Sequence, residues 1–217
     1  ALITTDGTAT LLNTWNHCVL QRQDGVLQIF VNGVDQGITD NTTNNNSNNT
    51  MSVGGARHGG SATTPDAFFQ GYVHDFRVSN DLARFPFIPL KETLTTTNSQ
   101  RSGVTVTASN VTLLTCHAAT ITDGSSNGTS ITTNGNAVVS DWAPASGMKS
   151  VYFDGTGDYL QCTLADTLGT ADWTVEYWVY HSTVSGNQIH CDFNVYDPYF
   201  YIRNSSNSFW VYHGIGN

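Results

Sequence analysis

Residues 11 to 37 read LLNTWNHCVLQRQDGVLQIFVNGVDQG, two runs of alternating character around Asp24-Gly25. An Asp-Gly pair between such runs is the strongest short hairpin signal, because both residues tolerate the positive φ of a tight antiparallel turn. The second run ends in a similar pair, Asn32-Gly33. Reversals this closely spaced commit the chain to antiparallel strands, whose apolar face must then be covered.

The remaining sequence favours the same class. Charged residues make up only 12%, strong helix formers are scarce, and Thr, Asn, Ser and Gly abound, so local preferences point to strands and turns. The apolar fraction of 39% is modest, but 11% of residues are aromatic, and each ring removes a large apolar area from water. The 217 residues suffice for one large or two small all-β domains. A net charge of -9 argues against a groove for nucleic-acid phosphates or for an anionic membrane surface. There is no apolar run of the roughly 18 residues that a membrane helix needs, and no basic-then-apolar leader pattern, although a chain excised from a longer one would not show a leader. Cys18, Cys116, Cys162 and Cys191 stand alone in strand-like text without a C-x-x-C pair. They read as small buried hydrophobes; one disulfide is compatible with them, in a pairing the spacing does not define.

Further along, AFFQGYVHDFRVSND (67 to 81) reads as a long strand, with Phe76, Val78 and His74 on one face and Asp75 and Arg77 on the other. NTTNNNSNNT (41 to 50) is too polar to bury and reads as a solvated loop. FPFIPLKETLTTTNSQRSG, with two prolines and few apolar residues after Leu90, reads as a connector. Strand text resumes with VTLLTC and TSITT, continues through SVYFDGTGDYLQC and DWTVEYWVYHS, and ends in two aromatic strands around a turn at Asn204 to Asn207. No internal repeat and no long helix is expected.

These pieces together resemble the laminin G-like, concanavalin A-like jelly-roll family. TITDGSSNGTSIT and SVYFDGTGDYLQC resemble its opening strands and TVEYWVYHS the strand that follows; TWNHCVLQRQDGVLQIFVNGV and FFQGYVHDFRVSND resemble its closing hairpin and final strand. The order is inverted: the closing half occupies residues 1–85 and the opening half 111–217, with 86–110 between them. Two arrangements satisfy this order. The chain is a segment of a tandem array, the end of one domain and the start of the next, or the halves combine into one antiparallel β-sandwich in permuted register. In the second, FWVYHGIGN at the end of the sequence would run on into ALITTDGTATLLNTWNH at its start as an uninterrupted strand and hairpin. Half a sandwich alone would leave a wide apolar face in water.

The resemblance also frames the candidate sites. Glycan-cleaving relatives carry paired acids at E-x-D-x-x-E spacing, whereas WTVEYWVY holds Glu176 alone, Glu92 lies in the connector, and Asp192 and Asp197 form an uneven pair, so no catalytic residue is expected. The seven histidines are scattered and form no triad motif. A structural calcium is implied by the resemblance, with Asp75, Asp154 and Gly155 as its positions here. For sugar binding, Tyr196, Tyr199, Tyr201, Arg203 and Trp210 in the last strands are the candidate ligand-binding residues, with core packing as the alternative role of these rings. The Thr- and Asn-rich style is similar to structural proteins of marine tailed phage virions. It implies a non-enzymatic virion or appendage module, exposed on a virion or extracellular surface, displayed with other subunits as a homo-oligomer and attaching to a host-surface glycan. A carbohydrate-binding module or adhesin of a secreted bacterial protein is the alternative, and a glycoside hydrolase a weaker one.

Overall fold

The computed structural model describes residues 2–4, 12–40, 49–55, 67–80, 92–97, 106–193, 200–205 and 208–213. Residues 1–85 supply β1 (Leu2–Thr4), β2 (Trp15–Gln23), β3 (Val26–Val31), β4 (Val34–Asp40), β5 (Thr50–Val53) and β6 (Gln70–Ser79). A single 3-10 turn, Ala108–Asn110, precedes β7 (Val111–Thr115), β8 (Ile131–Asn134) and β9 (Val138–Ser140). Then come β10 (Ser150–Asp154), β11 (Tyr159–Thr163), β12 (Trp173–His181), β13 (Asn187–Asp192), β14 (Phe200–Ser205) and β15 (Ser208–His213). Both tight turns form as their residue types require: Asp24 and Gly25 have φ of 50° and 83°, Asn32 and Gly33 52° and 79°, the two successive positive values that match hairpin twist.

The strands build two sheets, ordered β1-β15-β14-β13-β5-β11-β8 and β4-β3-β2-β12-β6-β10-β9, with β7 also bonded to β6. Every pairing among the described residues is antiparallel. The protein is thus an all-β sandwich of antiparallel strands, consistent with the concanavalin A-like architecture. Strands from the two parts of the chain interleave: β12 lies between β2 and β6, and β5 between β13 and β11. Ends of the sequence also meet, since Leu2 and Thr4 of β1 pair with Tyr212 and Trp210 of β15. One buried apolar cluster lies between the sheets. Leu20, Ile29, Val73, Phe76 and Val175 from one face Met51, Val53, Leu160, Cys191 and Phe209 from the other. All four cysteines are buried, and no disulfide joins them.

The longest strand, β6, is irregular at its middle. Its register with β12 shifts between Glu176↔Arg77 and Trp178↔His74, so that Asp75 and Phe76 together oppose Tyr177. Asp75 takes φ 52°, a left-handed value that Asp tolerates better than most residues with a Cβ. This bulge reverses the alternation. Val73 before it and Phe76 and Val78 after it all enter the core, while His74 and Arg77 fall on the outer face, where His74 lies against the Trp15 ring. The expected common face for His74, Phe76 and Val78 is therefore corrected: an extra residue in the strand shifts the phase between 74 and 76. The same point divides the other edge of β6, whose residues 70–73 pair with β10 and residues 76–79 with β7.

Because both sheets need strands from both parts, pieces 1–85 and 86–217 expressed separately should each lack a cooperative thermal transition. Mixed, they should regain one, measured by circular dichroism; two independent transitions would contradict the shared core. Within that core, Phe76→Ala should cost about 3–5 kcal/mol in denaturant unfolding.

Candidate functional site

Strand β12 turns Trp173, Val175, Tyr177 and Val179 inward, so the intervening residues form its outer face. Cross-strand register then places side chains in rows at right angles to the strands. Tyr180 is opposite Trp15 on one side and Tyr72 on the other, and Tyr72 is opposite Tyr152. Four aromatic residues from four adjacent strands thus stand side by side, spanning about 14 Å at ordinary strand spacing. Ring centroids are 5.7 Å apart for Trp15–Tyr180, 5.8 Å for Tyr72–Tyr180 and 4.8 Å for Tyr72–Tyr152. All four are half-buried. Partial burial, followed by the neighbouring Tyr152 and Tyr180 phenols, raises the Tyr72 pKa. Trp142, 52% exposed, stands at 87° to the Tyr180 ring at 5.8 Å and bounds the row on one side. Gly71 permits the close strand approach, since a Cβ there would lie 2.0 Å from the Tyr180 carbonyl oxygen.

The next rows along the same face are closed over and charged. Arg77 donates through Nε to Glu176 Oε1 at 2.9 Å, with a second contact from Nη2, and both residues are buried. The Arg77 Nη1 donates to the Thr95 carbonyl at 2.7 Å, and the Leu94 amide donates to Asp75 Oδ2 at 2.6 Å. Two buried side chains therefore grip the connector backbone, one at the Leu94 amide and one at the Thr95 carbonyl. Leu94 and Val106 complete the closure by packing with Val111 and Leu114 in a small cluster of their own. The described part of the connector is thus a packed element rather than a solvated link. His17 lies under Trp178 at 5.2 Å between ring centroids and 3.9 Å from Glu176 Oε2. Burial outweighs that carboxylate and pushes its pKa down to about 4, so it is neutral.

Between the sheets, Tyr177 OH is 3.0 Å from His190 Nδ1, and His190 Nε2 is 2.8 Å from His181 Nε2. Burial drives His181 down to about 3 and His190 well below the ordinary range.

The residues expected from sequence fall elsewhere. Tyr196 and Tyr199 lie outside the described residues. Tyr201 and Arg203 are on β14 and Trp210 on β15, with Arg203 and Trp210 as register partners in the seven-stranded sheet. They are remote from the row, which belongs to the other sheet. Asp154 pairs with Gln70, five residues along β6 from Asp75, which separates the two carboxylates by about 17 Å. They do not fit one calcium ion: Asp75 is occupied by the Leu94 amide, and Asp154 Oδ1 accepts the Thr156 amide at 2.7 Å across the Gly155 turn. Asp158, buried, holds that turn by accepting the Asp154 amide at 2.9 Å and the Asn136 amide at 2.6 Å. No group of three or more His, Cys, Asp or Glu suited to a metal occurs among the described residues. Sequence reasoning missed the row. Its visible signal was that Tyr72, Tyr152 and Tyr180 each sit next to an inward valine, so all three point outward.

Two outcomes test the buried groups. His17, His181 and His190 are neutral when folded and bind a proton only on unfolding, so the unfolded state takes up more protons below pH 6.5. Stability should therefore be full above pH 6.5 and fall as pH drops toward 4, by about 1.4 kcal/mol per pH unit for each histidine; denaturant titrations that overlay from pH 6.5 to 4.5 would contradict this. Arg77→Met strands a buried carboxylate and should cost about 3–5 kcal/mol, much of it recovered by adding Glu176→Gln.

Comparison with known proteins bears on the first part of the chain. No curated protein and no solved structure matches it. Residues 1–84, which supply Trp15 and Tyr72 of the row, match the family model of the concanavalin A-like lectin/glucanases superfamily, a fold that fits a carbohydrate-binding or adhesion module.

Proposed function

We propose that this protein is a non-enzymatic attachment module that binds glycans on the outer face of its eight-stranded sheet, through Trp15, Tyr180, Tyr72 and Tyr152. The row itself carries the proposal. Four half-exposed rings in adjacent register positions make a surface that only a ligand with apolar faces covers well, and sugars present such faces between their hydroxyls. The superfamily match over residues 1–84 supports the same class of ligand.

Placement of the acids supports a binding rather than a cleaving role. Glycoside hydrolysis needs two carboxylates facing one bond. Here Glu176 is buried and held by Arg77 on the eight-stranded sheet, and Asp192 is buried in β13 of the other sheet; Asp197 lies outside the described residues. The Thr- and Asn-rich style supports a setting in a virion or surface appendage, among copies of the same subunit.

On a glycan array, the wild-type chain should bind a defined subset of sugars. Trp15→Ala and Tyr180→Ala, checked for retained thermal transitions, should weaken that binding at least tenfold, as expected for the loss of one stacked ring at about 1–3 kcal/mol. Equal binding by both variants would place recognition elsewhere.

A further inference from the structure

The row is not flat. Adjacent ring planes meet at 54° for Trp15 and Tyr180, 77° for Tyr180 and Tyr72, and 42° for Tyr72 and Tyr152. A planar ligand, such as the face of a crystalline polysaccharide, would touch only one ring at a time. A single chain whose successive sugars turn about their linkages presents a new face to each ring. Trp142, edge-on to the Tyr180 ring and 52% exposed, stands in the way of a broad planar surface beside the row.

The flanks define the polarity of the ligand. On the side away from Trp142, Gln70 and Asp154 are register partners two residues from Tyr72 and Tyr152, about 7 Å along the strands. Both are half-exposed, and they offer an amide and a carboxylate beside the rings, the planar groups that accept and donate to paired hydroxyls. On the other side, Lys149 and Asp141 pair with each other and cancel. Among the described residues beside the row, the acid outside an ion pair is Asp154, in a chain of net charge -9. Exposed ring faces are themselves electron-rich. An anionic polysaccharide would meet repulsion from all three sources.

We infer that the row takes one soluble, uncharged glycan chain laid across the strands, its sugar faces on Trp15, Tyr180, Tyr72 and Tyr152 and its hydroxyls on Gln70 and Asp154, without calcium. This inference rests on the glycan-binding reading above and narrows it. Independence from calcium follows from the contacts: stacking needs no ion, and Asp154 meets the ligand directly.

The test is affinity electrophoresis of the whole chain in gels containing neutral soluble polysaccharides (laminarin, xyloglucan, galactomannan) or anionic ones (alginate, carrageenan), with and without EDTA, alongside pull-down on crystalline cellulose. Retardation by at least one neutral polysaccharide, unchanged by EDTA, is expected. It should weaken at least tenfold in Tyr152→Ala, at the outer end of the row, and severalfold in Gln70→Ala and in Asp154→Asn, which keeps the turn's acceptor oxygen. Thermal melts confirm that each variant folds. Retardation only by anionic polysaccharides, capture only by crystalline cellulose, or loss with EDTA would overturn the inference while leaving glycan binding intact. No interaction with any of these materials would overturn both.

Discussion

The bulge at Asp75 is the constraint on which the rest of the structure depends. A left-handed conformation costs a residue with a Cβ roughly 1 kcal/mol or more, and here it sits inside an interior strand of a sheet. What holds it is the carboxylate, fully buried and bonded to the Leu94 amide. Three consequences share this cause. Val73, Phe76 and Val78 all reach the core despite their odd spacing. Arg77 turns outward to meet Glu176. The edge of β6 changes partner from β10 to β7, so that two strands of the second part of the chain line one edge of a strand from the first.

The outer face is divided as a result. Beyond the bulge, charged side chains bind the connector by its backbone and disappear from solvent; before it, aromatic rings stay half-open. Buried charges are costly unless paired and hydrogen-bonded, and Arg77 is both, through Glu176 Oε1 and the Thr95 carbonyl. The covered rows fix the strand positions beneath the connector. Strands so fixed carry the open row as a rigid array, and rigidity favours binding because little freedom remains to be lost.

Much of this was legible in the amino-acid sequence. Asp24-Gly25 and Asn32-Gly33 marked both hairpins, and alternation marked the text of β2 and β12 as strands. The bulge left a trace, since Val73, Phe76 and Val78 cannot all face one way in a regular strand, but an Asp between His74 and Phe76 looks like any outward residue. The binding row was less legible for a different reason. That Tyr72, Tyr152 and Tyr180 point outward follows from local alternation, whereas their meeting with Trp15 depends on which strands pair and in what register, a tertiary property. Prominence of aromatic text near the C-terminus drew attention to Tyr201 and Trp210 instead. The connector misled in its own way: Leu94 and Val106 are isolated apolar residues in polar text, and only the buried Asp75 and Arg77 explain why that text is held.

The central claim is the register that assembles Trp15, Tyr180, Tyr72 and Tyr152 from four strands and both parts of the chain. Aromatic-resolved nuclear Overhauser spectroscopy on the isotope-labelled protein measures it directly. The account predicts cross-peaks linking Trp15 to Tyr180, Tyr180 to Tyr72 and Tyr72 to Tyr152. A one-residue slip between β6 and β10 would remove the Tyr72–Tyr152 contact and turn one of these rings into the core, and its observation would contradict the account.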